Sequence, residues 1–148
     1  MNVEQFTNKV KEQISAAQIK VLHKQHQQLL SLHMLSVLLE EKDIVVPLLQ
    51  QTGTNLSTLQ NDIDKEIEKI PTVIQQDKTN IFISQELGKV FVEAQIIAKQ
   101  RKDQLTGIDS ILLALSKPSS DIGKILENSG LSYSGLQEAI KQMRKEKT

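Results

Sequence analysis

Three histidines, at positions 23, 26 and 33, have the side chains that come nearest to a metal site in this sequence. His23 and His26 are three residues apart and share one face of a helix if the helix continues through them. A metal site normally needs a further ligand at suitable spacing, but the chain has no cysteine and the nearby carboxylates are not arranged with the histidines. We therefore expect no metal site and interpret the histidines as surface or capping residues. His33 stands near the start of a predicted helix, which favours a structural role.

A run of carboxylates in the middle of the chain is the nearest approach to a general acid–base pair. It alternates with lysines: Asp62, Asp64, Lys65, Glu66, Glu68 and Lys69. Opposite charges three or four residues apart are typical of a solvated helix face. The sequence also lacks a nucleophile elbow and the phosphate loop G-x-x-x-x-G-K-S/T. We expect no catalytic residue, no enzyme activity and no cofactor in this chain.

The composition excludes several other classes of protein. The 148 residues carry 18 lysines and arginines against 18 acidic residues, and this zero net charge argues against nucleic-acid binding. No apolar run approaches the roughly 20 residues that span a membrane, and the N-terminus lacks a secretory pattern. The absence of cysteine fits a cytoplasmic protein. The length suits one domain with its own core.

Apolar residues recur every three or four positions along almost the whole chain, as in Phe6, Val10, Ile14 and Ala17. This spacing predicts amphipathic helices and an all-α fold. The expected helices are residues 4–23, 32–41, 45–52, 55–69, 84–102, 107–116, 120–129 and 132–145. We interpret the apolar run 81–83 as the entry to a helix.

Residues with capping chemistry mark several of these ends. Thr7 and Ser84 are expected to be N-caps, and Gly53 and Gly130 follow apolar segments where a left-handed residue ends a helix. The segment from Thr106 to Asp109 has the spacing of a capping box, although such boxes prefer glutamate or glutamine.

The eight predicted helices form two copies of a four-helix unit. A shift of 77 residues places Thr7 on Ser84 and Gly53 on Gly130, and a shift of 76 places His33 on Asp109. A repeated unit that cannot close its own core packs against its copy. We therefore predict one pseudo-symmetric domain over residues 1–148, with repeat one at 1–70, a linker at 71–83 and repeat two at 84–145.

Several segments in this order carry a family resemblance. They are FTNK at 6–9, LHMLSVLL at 32–39 and PLL at 47–49, then SQEL at 84–87 and the closing residues 140–144. Together they resemble the N-terminal domain of the Clp ATPases, most closely that of the ClpB-type disaggregases, over essentially the whole chain.

The resemblance implies an accessory domain of a hexameric chaperone. Such a domain binds exposed apolar segments of unfolded or aggregated client proteins and hands them to the ATPase rings. ATP and Mg²⁺ then belong to the full-length parent, and a co-chaperone is a possible further partner. The resemblance implies a monomer for the isolated domain, with no nucleic-acid or membrane partner.

Three polar residues match positions that the family associates with client handling: Thr7, Asp103 and Asp109. Each also has a structural interpretation. Thr7 is a helix cap, Asp103 is placed to bond backbone amides after the fifth helix, and Asp109 fits the capping box. Thr7 and Asp103 are expected to lie close together, because each stands at an end of a long helix in the symmetric pair.

The family also implies an apolar groove, for which Phe91, Ile97 and Leu105 are the candidates here. Ile97 is expected to reach the groove, whereas Phe91 shares a stripe with core residues. Glu93 and Ser110 stand where the family has leucine, which predicts a smaller and more polar groove.

Two other functions remain open from the sequence. One is a docking platform for a folded adaptor, as on protease-coupled Clp unfoldases, and a polar patch would favour it. The other is an unrelated helical scaffold or homodimer.

Overall fold

The computed structural model of the chain describes residues 3–74 and 81–146. Part of the predicted linker, residues 75–80, lies outside the described residues. The described chain contains eight α-helices after a short 3-10 turn at Val3–Gln5, which confirms the all-α class. They are α1 (Asn8–Lys24), α2 (Ser31–Leu38), α3 (Val45–Gln51), α4 (Leu56–Glu68), α5 (Gln85–Gln100), α6 (Ile108–Leu115), α7 (Asp121–Asn128) and α8 (Tyr133–Glu146). No helix among the described residues is long and apolar enough to cross a membrane.

The predicted capping residues are confirmed, but the first helix begins at Asn8 and not at residue 4, because residues 3–5 form a separate 3-10 turn. The Thr7 side chain accepts a hydrogen bond from the Val10 amide at 3.3 Å, and Ser84 accepts one from the Leu87 amide at 3.1 Å. Gly53 and Gly130 have φ angles of 79° and 100°, the left-handed conformation that glycine adopts without steric cost. These four residues therefore fix where the helices start and stop.

Three of the four helix pairs begin 77 residues apart, and the fourth pair, α3 and α7, begins 76 residues apart. The first residues of α1, α2 and α4 are 8, 31 and 56, and those of α5, α6 and α8 are 85, 108 and 133, a constant difference of 77. The predicted shift of 76 around α2 is therefore wrong by one residue, because nothing is inserted or lost between α1 and α2. His33 corresponds to Ser110, not to Asp109.

Two short parallel β contacts join the halves, and the sequence analysis missed both. β1 (Gln28–Leu29) pairs with β2 (Phe82–Ile83), and Phe6 forms a bridge with Thr106. The run 81–83 is thus not the entry to a helix; it pairs with β1 before α5 begins. The shift of 77 places Leu29 on Thr106 and Phe6 on Ile83, so each contact is the symmetric image of the other.

One core runs through both halves. Phe6 and Phe91 are each about 1% exposed, and their ring centroids are 5.4 Å apart with the planes tilted by 54°. Tilted aromatic pairs add stabilisation beyond the apolar area that they bury. Because Phe6 precedes α1 and Phe91 lies in α5, this pair is one of the contacts that join the two repeats.

Candidate functional site

Asp103 and Asp109 meet at one arginine. Arg144 donates Nη1 to Asp103 Oδ1 at 3.0 Å and Nη2 to Asp103 Oδ2 at 2.8 Å. It also donates Nε and Nη2 to Asp109 Oδ2, at 3.0 and 2.7 Å. Arg101 Nη1 lies 3.6 Å from the same Asp109 oxygen. We call these four residues the Arg144 cluster.

The backbone around the cluster corrects two expectations. Asp103 does not bond the amides that follow α5; its own amide donates to the Ala98 carbonyl at 2.9 Å, after Lys102 takes a left-handed φ of 65°. Asp109 does not form a capping box with Thr106, because the N-cap of α6 is Gly107. Both carboxylates are therefore turned to Arg144, in the last turn of α8.

The charges of the cluster stabilise one another. Hydrogen bonds from Arg144 hold the pKa of Asp103 below its usual value, and partial burial opposes this shift. The same bonds, first of all the one to Asp103, raise the pKa of Arg144. A guanidinium fork bound to two carboxylates is a strong and directional contact.

Thr7 lies against the same loop, which spans residues 101–107 and is called here the α5–α6 loop. Its amide donates to the Thr106 carbonyl at 3.1 Å. A Cβ added at Gly107 would lie 3.1 Å from Asp109 Oδ1 and 3.9 Å from the Thr7 methyl carbon. Thr7 and Asp109 thus flank Gly107, whose missing side chain leaves room for them, and Asp103 lies in the same loop.

The predicted apolar groove is partly misplaced on α5. Ile97 is 6% exposed and belongs to the core, so the expectation that it reaches a groove is wrong. Phe91 is also a core residue, 1% exposed, but it lines the floor of the groove described below. The reason is that α5 packs along α6, which buries a second face of the helix. Ser110 is fully buried and does not line a groove either. Leu105 remains 46% exposed, in the α5–α6 loop.

An apolar groove does exist beside α5, on the helix face that carries Val92. Its volume is about 1090 Å³, and the residues that line it include Ile81, Phe82, Ile83, Gly88, Phe91 and Val92. Phe82 is 65% exposed and Val92 56%, values that are high for large apolar side chains. We call this the β2–α5 groove. Ile96, one turn beyond Val92, extends the same exposed face.

The internal repeat shows why the groove forms on only one half. The shift of 77 places Phe82, Gly88 and Val92 on Gln5, Lys11 and Ser15. The equivalent face of α1 is therefore polar, although its outer end still exposes Ile19, the counterpart of Ile96. A fourth position differs in the same sense, since repeat two has Leu105 where repeat one has Gln28. These four differences make the second repeat the more apolar of the two.

The rim of the groove carries charges that are tied to neighbours. Glu93 lies 3.0 Å from Lys117 Nζ, and that ammonium also lies 5.3 Å from the centre of the Tyr133 ring. The hydrogen bond to Glu93 raises the pKa of Lys117. Glu93 thus lines the groove as one partner of an ion pair with Lys117.

The histidines form a buried pair that the sequence did not indicate. His26 and His33 are 3% and 0% exposed, with Nδ1 of His26 2.8 Å from Nε2 of His33. The Leu30 amide donates to His33 Nδ1 at 2.9 Å, which assigns the His33 proton to Nε2. Burial lowers the pKa of both rings, that of His33 to about 4. The structural role expected for His33 fits this contact, but the surface position expected for His26 is wrong.

Residues 3–74 and 81–146 contain no group of three side chains suited to a metal ion. What they offer is a duplicated helical domain with an exposed apolar groove and an ionic cluster at one end. Such features are typical of a protein-interaction domain.

The profile of the Clp repeat (R) N-terminal domain family matches residues 5–129, so this chain belongs to the Clp N-terminal domain family. This membership excludes the unrelated helical scaffold that the sequence left open.

Relatives and solved structures agree with this assignment. The chaperone protein ClpB of Rickettsia conorii is 37% identical over 148 residues, which cover 99% of this chain and 17% of that protein. ClpB of Pseudomonas putida is 31% identical over 145 residues, again 17% of its length. The chain thus spans about a sixth of the curated relatives that it matches.

The fold is shared more widely than the sequence. The Hsp104 N-terminal domain from Candida albicans superposes with a TM-score of 0.81 at 24% identity, covering 95% of this chain and 91% of that one. The N-domain of ClpV from Vibrio cholerae gives 0.78 at 17% identity, covering 95% and 85%. The chain is therefore similar in sequence to the N-terminal part of ClpB, and it shares its fold with the N-domains of several other proteins.

Proposed function

We propose that this chain is the client-recognition domain of a ClpB-type chaperone, and that the β2–α5 groove binds exposed apolar segments of unfolded or aggregated proteins. The observation that carries the proposal is the open groove lined by Phe82 and Val92. Water-exposed apolar side chains in a concave site gain free energy when another apolar segment covers them. The groove is large enough for several side chains of an extended chain.

The proposal places the chemistry of the longer protein elsewhere. ATP and Mg²⁺ act in the ATPase rings, and this cytoplasmic domain delivers clients to them without binding nucleotide. Its own affinity for a client is weak, because a shallow apolar site gives little energy beyond the cost of association. Six copies on a ring compensate by raising the effective concentration of binding sites.

The experiment compares two charge substitutions at apolar residues of similar exposure. Val92→Asp places a charge in the groove, whereas Ile19→Asp changes a residue that is 53% exposed on the polar face of α1. Binding of reduced, carboxymethylated lactalbumin, which is permanently unfolded, is followed by NMR titration of the 148-residue chain. Val92→Asp should weaken binding and Ile19→Asp should not. Equal effects of both variants would refute the groove assignment.

Docking of a folded adaptor is a second candidate, favoured by the charged rim at Lys89 and Glu93. Reversing these charges would then abolish binding of a folded partner while an unfolded probe still binds. If the groove instead binds apolar clients, the charge reversals should affect binding of the unfolded probe more than binding of a folded partner.

A further inference from the structure

The Arg144 cluster is present in only one of the two repeats. The shift of 77 places Asp103 on His26 and Arg144 on Ile67. Ile67 is 3% exposed, so the equivalent corner of repeat one is closed by an apolar side chain and the histidine pair. Replacing a partly buried ion cluster with apolar residues is often neutral for stability. The fold therefore does not need an arginine at this corner.

The backbone that the cluster holds is weakly paired by comparison. In repeat one, β1 forms a two-residue ladder with β2. In repeat two, the α5–α6 loop makes a single bridge between Phe6 and Thr106. Arg144 adds four side-chain hydrogen bonds to the two ends of this loop, at Asp103 and at Asp109 just beyond it. It thereby supplies the constraint that a longer strand supplies in the other half.

The loop in turn borders the groove. The Thr106 amide donates to the Gln5 carbonyl at 2.7 Å, and Gln5 is one of the residues that line the β2–α5 groove. Leu105, the residue before Thr106, is half exposed where repeat one has Gln28. Movement of the loop would therefore displace Gln5 at the groove together with the exposed Leu105 of the loop itself.

We propose that Arg144 is a positioning residue for client binding: it fixes the α5–α6 loop so that Leu105 and Gln5 extend the β2–α5 groove for an apolar segment. This inference rests on the proposed function of the groove. Asp103 and Asp109 then act as the anchors of the loop, through Arg144, and do not contact the client. The role requires the guanidinium fork, since one ammonium group cannot bond both carboxylates with four hydrogen bonds.

The test uses Arg144→Gln, Asp103→Asn and the double variant, with Ile67→Val as a control at the symmetric position. Ile67→Val destabilises the core without touching the loop, so it matches a merely structural loss. Affinity for carboxymethylated lactalbumin and hydrogen exchange of amides 101–107 are measured for each chain, beside its melting temperature. Asp103→Asn alone is sufficient if Arg144→Gln does not fold.

Arg144→Gln and Asp103→Asn should each weaken binding about fivefold, equivalent to about 1 kcal/mol, and speed exchange in the loop. The double variant should bind no more weakly than either single one, because both changes break the same contact. Ile67→Val should lower the melting temperature and leave affinity unchanged. The inference is overturned if Arg144→Gln binds like the parent, if Ile67→Val weakens binding equally, or if the two single effects multiply. Should Val92→Asp also bind like the parent, the groove itself fails, which separates the two proposals.

Discussion

His26 and Asp103 occupy the same place in the two repeats, each directly after a left-handed residue, Gln25 or Lys102. Their backbone amides donate to carbonyls five residues earlier, at 3.0 and 2.9 Å. The side chains differ, because His26 pairs with a second buried imidazole whereas Asp103 binds a guanidinium. One backbone corner is thus closed by a neutral contact in one half and by a charged contact in the other, and acid should affect them differently.

The histidine pair makes stability depend on pH. The folded pKa of His33 is about 4, against an ordinary value of 6.5, because burial disfavours the charged ring and the nearby His26 and Lys20 add to the shift. Between these values the unfolded chain binds more protons than the folded one. Stability is therefore fully present above pH 6.5 and falls as the pH is lowered toward 4, by up to about 3 kcal/mol.

Urea unfolding at a series of pH values measures this loss. His33→Asn retains an acceptor for the Leu30 amide and should flatten the profile between pH 6.5 and 4. His23→Asn, at an exposed histidine, should leave it unchanged. A parent chain equally stable at pH 7 and pH 4.5 would contradict the prediction.

Glu41 is a buried carboxylate that caps α3. It accepts hydrogen bonds from the amides of Asp43, Ile44 and Val45 and from Lys9 Nζ, at 2.7 to 3.1 Å. Burial alone would raise its pKa, but these bonds outweigh burial and lower it from 4.5. Its stabilisation is thus present above pH 4.5 and is lost as the pH falls through the lower folded value.

Glu41→Gln keeps the shape but removes the charge, and should cost about 1.5–3 kcal/mol of unfolding free energy at pH 7. The gap to the parent should close in strong acid, where both side chains are neutral. Glu40→Gln, at an exposed neighbour, is the control and should change stability by less than about 0.5 kcal/mol. A gap that stays constant with pH would show that the charge of Glu41 is unimportant.

The burial of Phe91 and Ile97 predicts that neither can be altered without loss of stability. Phe91→Ala should cost about 3–5 kcal/mol, since it leaves a cavity beside Phe6. Ile97→Asp should unfold the chain, because it places an unpaired charge in the core. Val92→Ala, at the next position after Phe91, should change stability by no more than about 0.5 kcal/mol. Thermal melts check all three, and a folded Ile97→Asp variant would place this residue at the surface after all.

The sequence determined most of the helices because apolar spacing and caps are local. Thr7, Ser84, Gly53 and Gly130 mark their ends through side chains or conformations that the residue type itself favours. The left-handed Gln25 and Lys102 carry no such mark, because glutamine and lysine rarely adopt this conformation.

The site could be predicted only in part. The approach of Asp103 to Asp109 depends on Arg144, which is 35 residues or more distant along the chain. The position of the groove depends on which side of α5 the neighbouring helix covers, and a helix with apolar residues on several faces does not reveal this. The exposed apolar residue was therefore expected at Ile97 but is found at Val92, to which the sequence pattern gave no role.

Gly88 offers a way to close the β2–α5 groove without disturbing the fold. It lies within α5 and lines the groove, and a Cβ added there has no heavy atom within 4 Å. Gly88→Ala should therefore stabilise the chain by about 0.5–1 kcal/mol, because glycine is a poor residue in a helix interior.

Gly88→Trp should fold as well as the parent, but its side chain should fill the β2–α5 groove. Its affinity for carboxymethylated lactalbumin should fall at least about tenfold, equivalent to 1.4 kcal/mol. Lys11→Trp, which introduces a tryptophan at the symmetric position on α1, should leave affinity unchanged. Binding by Gly88→Trp at the parent's affinity, with its melting temperature retained, would show that clients bind elsewhere on the domain.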